Sequence, residues 1–431
     1  YDEREQGHCG NWFNMMWALP GVSRCGPLAT GAYLKQQSWY YDLARNWKGG
    51  FEYQKIVEGD ENNNYTGWDL TGTYLMSFGL PRKSLHVLGK KPCAVPPLKS
   101  SEVAGVIAAG RDAYAVNGKD GYAGRTTDQL LAGLAGWSPV VRKRSAQALA
   151  ARKEECLPAL LGLLDGSDRH ARYGAVEALG CLGPRADAAG PRLRALLKDA
   201  DPWLQSLASQ AIRYLGPEEQ KASVNDLLRM AATPNPADPR RTTHLAASMA
   251  LFRGYPGAGG PTLLSRSIEG VDRKLLYPAV RSLLENDDSV ARGGPGVILG
   301  MLSARDLAEL LPAIVKAARE MPPTNEMFAD SIFLAAADLL SKHHIREGMQ
   351  LSVDLLLVQR WGMFARVDTC PVYLRRYGAH AKAVLPQLQE MRQRRTEAIF
   401  KKCMDEIETT TESPTLVSLQ EFIEKTKAGV E

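Results

Sequence analysis

The stretch "SDRHARYGAVEALGCLG", Ser167–Gly183, decides the fold. It begins with hydroxyl and acidic residues that cap a helix, continues through small residues three apart, and closes on Leu-Gly, which ends a helix. The same grammar precedes it in "SPVVRKRSAQALA" from Ser138 and follows it in "DPWLQSLASQAIRYLG" from Asp201. The small pairs Ser145/Ala148, Ala175/Ala178 and Ala208/Ala211 fall in register, 30 residues apart (175 − 145) and then 33 (208 − 175). Between them a leucine-rich helix returns, as in "LPALLGLLDG" and "GPRLRALLKDAD". Small residues three apart share one helix face and let a neighbouring helix come close, and the leucines fill the remaining volume. One such pair cannot bury its own apolar stripe, so successive pairs stack into a continuous core.

These units resemble HEAT repeats, in the short form of bacterial phycobilin-lyase-type HEAT proteins. Looser pairs continue the series: "RTTHLAASMALF" from Arg241, "LLYPAVRSLLEND" from Leu275, "ARDLAELLPAIVKAARE" from Ala304, "MFADSIFLAAADLLSKH" from Met327 and "YGAHAKAVLPQLQEMRQ" from Tyr377. The solenoid is expected over residues 126–405. "SPTLVSLQEFIEKTK", with Ser413 as N-cap and Pro414 at the first helical position, is expected to be a capping helix within 406–431.

Composition is compatible with a large core, at 45% hydrophobic and 23% charged residues. A net charge of +5 is no nucleic-acid signature, and Arg142-Lys143-Arg144, Arg375-Arg376 and Arg394-Arg395 read as solvated helix faces. The seven cysteines contain no CxxC, and Cys156 and Cys181, set among Leu and Ala, read as small buried apolar residues. No apolar run is long enough to span a membrane, so no membrane span is expected. The chain begins at Tyr1 with no visible signal peptide and reads as a fragment or processed form.

The front of the chain is different. Five of the eight tryptophans, Trp12, Trp17, Trp39, Trp47 and Trp68, precede residue 70. "NWFNMMWAL" is apolar on nearly every side and reads as a surrounded helix stopped by Pro20-Gly21. Gly26-Pro27 restarts the chain into "LATGAYLKQQSWYYDLAR", which "NWKGGFEYQ" breaks at Gly49-Gly50. After the polar "GDENNNYTG", Asp69 is placed to cap the helix in "WDLTGTYLMSFGL". An aromatic-rich module is thus expected over 1–92, and a connector with a short helix over 93–125. The Gly49-Gly50-Phe51 turn, Asp69 and Tyr74 resemble the repeat of the α/α toroids, the terpenoid-cyclase and protein-prenyltransferase class. Toroid followed by HEAT-like repeats also resembles a bacterial family that joins the two. The fold expected is therefore all-α: partial α/α-toroid helical hairpins followed by a HEAT-like α-solenoid.

Prenyltransferases hold zinc with Asp, Cys and His, so the resemblance makes His8, Cys9 and Asp69 the metal candidates. The family's Cys follows its Asp by two residues, and here that position is Thr71. The competing reading leaves His8 and Cys9 at the edge of a buried helix, Asp69 as an N-cap, and no metal or other cofactor. His8, Asp42 and Asp69 are the catalytic candidates, although Asp42 also reads as a partner of Arg45 three residues on. Trp39, Tyr40, Trp47 and Trp68 are the binding candidates for sugar rings or a cavity wall, with a packed aromatic core as the alternative. GxSxG, P-loop and HExxH motifs are absent, and "GYPGAGGP", Gly254–Pro261, reads as an inter-repeat loop. The function expected is a non-catalytic scaffold that binds another protein along the solenoid, with no nucleic-acid partner. The alternative is an enzyme with a pocket in the front module, acting on a polysaccharide or an isoprenoid.

Overall fold

The structure is a computed structural model that describes residues 18–52, 69–72, 74–75, 96–113, 121–254, 260–324, 326–358 and 362–429. The chain divides into two compact units, Tyr1–Arg125 and Thr126–Glu431. The described residues are overwhelmingly helical; their only β-type pairing is isolated bridges. None of their helices is long and apolar enough to cross a membrane.

In the first unit, residues 18–23 are helical, so Pro20-Gly21 does not stop that helix. Proline lacks an N–H but keeps its carbonyl, and the Pro20 carbonyl accepts the Ser23 hydroxyl at 2.7 Å. Gly26, at φ 98°, then turns the chain into α1 (Pro27–Ala44), with Pro27 in the first turn. Past α1, Asn46 organises a knot. Its side-chain oxygen accepts the Lys48 and Gly50 N–H groups, both at 3.0 Å, and its amide donates to the Glu52 carboxylate at 2.8 Å. Gly49 sits at φ 84°, where a side chain would be strained. The Phe51 N–H donates to the Thr71 hydroxyl at 2.9 Å, and the Leu70 N–H to the Phe51 carbonyl at 2.8 Å. These ties close a small buried core of Tyr41, Ala44, Phe51, Leu70 and Tyr74. Tyr74 stands edge-on to Tyr41 at 5.1 Å and tilted on Phe51 at 4.8 Å. A second long helix, α2 (Ser100–Ala113), packs on α1.

The second unit is a HEAT-like α-solenoid. One row of helices runs α4 (Pro139–Ala150), α6 (Arg169–Leu182), α8 (Pro202–Ile212), α10 (Thr242–Leu251), α12 (Ser289–Gly293), α14 (Asp330–Lys342), α16 (Met363–Arg375) and α18 (Ala398–Thr409), and each packs on the next. Before the first of them lies α3 (Thr127–Leu134), and between them lie α5 (Leu157–Asp165), α7 (Gly190–Leu196), α9 (Pro217–Ala232), α11 (Arg273–Leu284), α13 (Ala304–Arg319), α15 (Glu347–Leu357) and α17 (Gln389–Arg394); here α7, α9, α11 and α13 also stack in order. Four helices of the first row start on side-chain caps: Ser138, Asp168, Asp201 and Asp288 accept N–H groups of the first turn.

Four residues past each cap, a long polar side chain pins a loop. Arg142 donates to the Gly136 and Trp137 carbonyls, both at 2.9 Å. Arg172 reaches the Asp199 carboxylate at 2.8 Å, and Gln205 reaches the Asp199 carbonyl at 2.6 Å. Arg292 donates to the Asn286 and Glu320 carbonyls, and Arg366, four past Gly362, to the Val358 carbonyl and the Asp330 carboxylate. Arg142 is accordingly buried, and Arg144 is buried as well, which corrects the reading of their basic run as a solvated face; Lys143 between them is exposed. Cys156 is buried, but Cys181 lies at the surface because it falls on the outward side of α6.

Three other expectations change. The segment from Met327 starts its α-helix at Asp330, after a 3-10 turn over Glu326–Phe328. The segment from Tyr377 is a 3-10 run, Gly378–Leu388, before α17, because Gly378 adopts φ 56° and Pro386 interrupts it. The C-terminal helix, α19 (Leu419–Lys427), is capped by Ser418 with Glu421 closing the capping box; Ser413-Pro414 lies in the extended chain before it.

Close backbone approach explains two glycines. A Cβ at Gly174 of α6 would collide with the Leu134 backbone at the end of α3, and one at Gly180 would stand 3.0 Å from the Ala211 Cα of α8. We expect Gly174→Ala to destabilise the solenoid by about 1–3 kcal/mol through overpacking. Gly162→Ala, on an exposed position of α5 with nothing within 4 Å, is expected to stabilise it by about 0.5–1 kcal/mol. Denaturant melts of the two variants check the contrast.

Asp306 ties α11 to α13. It accepts Arg273 in bidentate fashion at 3.0 and 3.2 Å, the Tyr277 hydroxyl at 2.7 Å and the Ser303 N–H at 3.0 Å. Burial opposes its charge, but these donors outweigh burial and hold its carboxyl well below the usual range. A depressed carboxyl contributes stability that is present above the ordinary carboxylate pKa and is lost as pH falls below it. Asp306→Asn is therefore expected to lower stability near pH 7 and to flatten its decline between about pH 5 and about pH 2, as read by melts across pH.

Candidate protein-interaction face

The starts of α4, α6 and α8 carry large side chains that the core does not take up. Trp137, just before the Ser138 cap, is 51% exposed, and Trp203, two past the Asp201 cap, is 53% exposed. Val140 and His170 hold the same position, two past their caps, and are exposed and half-buried. Since α4, α6 and α8 pack in order, these residues form one edge. Lys143 and Arg169 stand exposed on the same helices.

A buried chain of contacts makes the edge rigid. Arg142, pinning the Trp137 carbonyl, lies over the Tyr173 ring at 5.5 Å. The Tyr173 hydroxyl donates to the Asp201 carboxylate, and Asp201 accepts the Trp203 N–H at 2.9 Å. Burial, and then Asp201, push the Tyr173 phenol up to about 12, so it stays a donor. Glu177 on α6 lies 3.9 Å from Arg142, and burial raises its carboxyl above the ordinary value. The edge presents fixed aromatic and aliphatic groups beside cations.

This edge was not singled out from the sequence. Its signal was there: Trp203 and Val140 occupy equivalent places in two aligned repeats, outside the small-residue face.

The residues singled out from the sequence lie in the first unit. His8, Cys9 and Trp68 fall outside the described residues, as does the side chain of Tyr40. Asp42 is exposed on α1, and no ion pair among the described residues joins it to Arg45, whose guanidinium sits 5.0 Å over the Phe51 ring. Asp69 is exposed; its carboxylate accepts the Thr71 N–H at 2.9 Å, and the Thr71 hydroxyl and N–H lower its pKa. Trp39 is partly exposed and Trp47 is 90% exposed, with the Lys48 ammonium 5.3 Å from its ring; neither belongs to the buried aromatic core. An apolar groove of about 540 Å³ runs between α1 and α2, lined by residues such as Ala29, Tyr33, Val103 and Ile107. Neither Asp42 nor Asp69 lines it. Among the described residues no three His, Cys, Asp or Glu side chains are grouped to hold a metal ion.

Comparison with known families agrees with the division of the chain. Residues 1–89 match a domain of unknown function (DUF6288). No curated protein matches the chain. Residues 127–213, which run from α3 through α8 and carry the exposed edge, match the HEAT repeats family.

Proposed function

We propose that the second unit is a protein-binding scaffold, and that the edge formed by the starts of α4, α6 and α8 receives an acidic segment of another protein bearing apolar anchors. The observation that carries this reading is the exposure of Trp137, Val140 and Trp203 on an edge fixed from beneath by Arg142, Tyr173 and Asp201. Half-exposed tryptophans held at fixed positions lose little entropy on binding, which is the character of interface anchors. Lys143 and Arg169 supply the positive rim that steers an acidic partner. The match to HEAT repeats supports the scaffold role, since stacked helical pairs present one extended surface. The Gly49-Gly50-Phe51 turn, tied to Thr71 by the Phe51 N–H and followed by the Glu52–Asp69 bridge, supports reading the first unit as toroid-like hairpins.

Site-directed photo-cross-linking in producing cells tests the edge. A cross-linker at position 203 is expected to give a discrete adduct that weakens about 30-fold or more in a Trp137→Ala background. A cross-linker at the exposed Gly162 on α5 is expected to give none. Equal labelling from both positions would overturn the reading. Tyr173→Phe, which removes the donor to Asp201, is expected to cost about 0.5–1.5 kcal/mol in a denaturant melt and to reduce the same adduct.

A further inference from the structure

The end of the chain turns back over the last repeats. From Thr410, the C-cap of α18, it runs extended to Ser418. The Ala379 N–H donates to the Glu412 carbonyl at 2.7 Å, and His380 Nε2 to the Pro414 carbonyl at 3.0 Å. One repeat further back, the Arg346 N–H donates to the Val417 carbonyl at 2.9 Å and the Val417 N–H to the His344 carbonyl at 3.2 Å. Then α19 lies on α13, one repeat further back still.

The seat matches the helix at three points. The Glu347 carboxylate accepts the Leu419 N–H at 2.9 Å, placing a negative charge at the positive end of α19. The His343 ring meets Phe422 edge-on at 5.3 Å in the middle. Glu309 of α13 pairs with Lys427 in the last turn at 3.6 Å. Leu419, Phe422, Ile423 and Thr426 form one half-buried stripe, spaced for a helix face, and no residue of α19 is fully buried. A helix of nine residues does not persist alone in water, so α19 depends on this seat.

We propose that α13 and the 343–347 corner form a helix-docking site which α19 occupies in cis, and that the partner it fits is α19 of a second copy of this chain. The sequence of α19 satisfies both charged ends and the aromatic anchor at once. The extended link from Thr410 to Ser418 reaches about 30 Å, enough for α19 to leave its own seat for a neighbour's while α18 stays folded. Exchange keeps each contact of the seat, so concentration and the strain of the link select between the two arrangements. This proposal stands independently of the edge on α4, α6 and α8.

Two measurements test it on the full chain. Light scattering across concentration is expected to show a dimer that Phe422→Ala leaves in place, because both arrangements keep the seat, and that deleting Thr415 and Leu416 from the link strengthens about tenfold or more by straining the arrangement in cis, with helical content retained. A fluorescent peptide of residues 411–429 is expected to bind the Phe422→Ala chain at least about tenfold more tightly than the wild-type chain, whose seat is filled. The same peptide carrying Lys427→Glu should bind several-fold more weakly. Failure of the peptide to bind the Phe422→Ala chain overturns the docking site. Peptide binding with no dimer, or with a dimer indifferent to the shortened link, overturns the second copy as its partner.

Discussion

A guanidinium buried four residues past a helix cap is the interaction on which the solenoid depends. Stacking helical pairs leaves short loops at the ends of the row, and their carbonyls have no partner within a helix. Buried carbonyls must be paired, and an arginine with five donors can pair several at once. Arg142, Arg292 and Arg366 each reach two loop or helix-start acceptors, and Arg172 links its own helix to the next loop. Burying these charges is tolerable because each donates to carbonyl or carboxylate oxygens. Where a row helix lacks such an arginine, other groups substitute: Asp238 accepts the Thr243 N–H at 2.7 Å and both threonine hydroxyls before α10.

The same constraint connects stability to surface. Because Arg142 is held by the Trp137 carbonyl and touches Tyr173, and Tyr173 holds Asp201, the position of the exposed tryptophans is set by the interior. The aromatic edge is therefore rigid. In the first unit the aromatic residues divide differently: Tyr41, Phe51 and Tyr74 make the core, while Trp47 is left to solvent.

Much of the solenoid was legible. The register of Ser145, Ala175 and Ala208 reflects a packing requirement that admits few residue types, and α13 begins at Ala304, where the sequence reading starts that segment. What was not legible arose from long-range partners. Arg142 and Arg144 read as solvated because a charge run carries no sign of the carbonyls that will surround it. Ser413-Pro414 has the local form of a helix start, but this stretch pairs with the Ala379 and His380 region instead, and the helix waits for Ser418. The exposed edge was missed because exposure is decided by which repeat covers which: Val290, two past the Asp288 cap, is buried where Val140 and Trp203 are exposed. The front candidates were selected for residue type, and of those described, Asp69 proved to be committed to its own turn.

The returning C-terminal segment changes how the array comes apart. A linear stack of repeats talks only to its neighbours, so its outermost member normally peels away first. Here Lys427 meets Glu309, and the intervening repeats are enclosed in a loop of chain. The last three helical pairs are thereby joined as a clasp joins a bracelet: none can fray without opening the fastening, and the tail must wait for α13 before it can settle, a distant closure that comes late in folding.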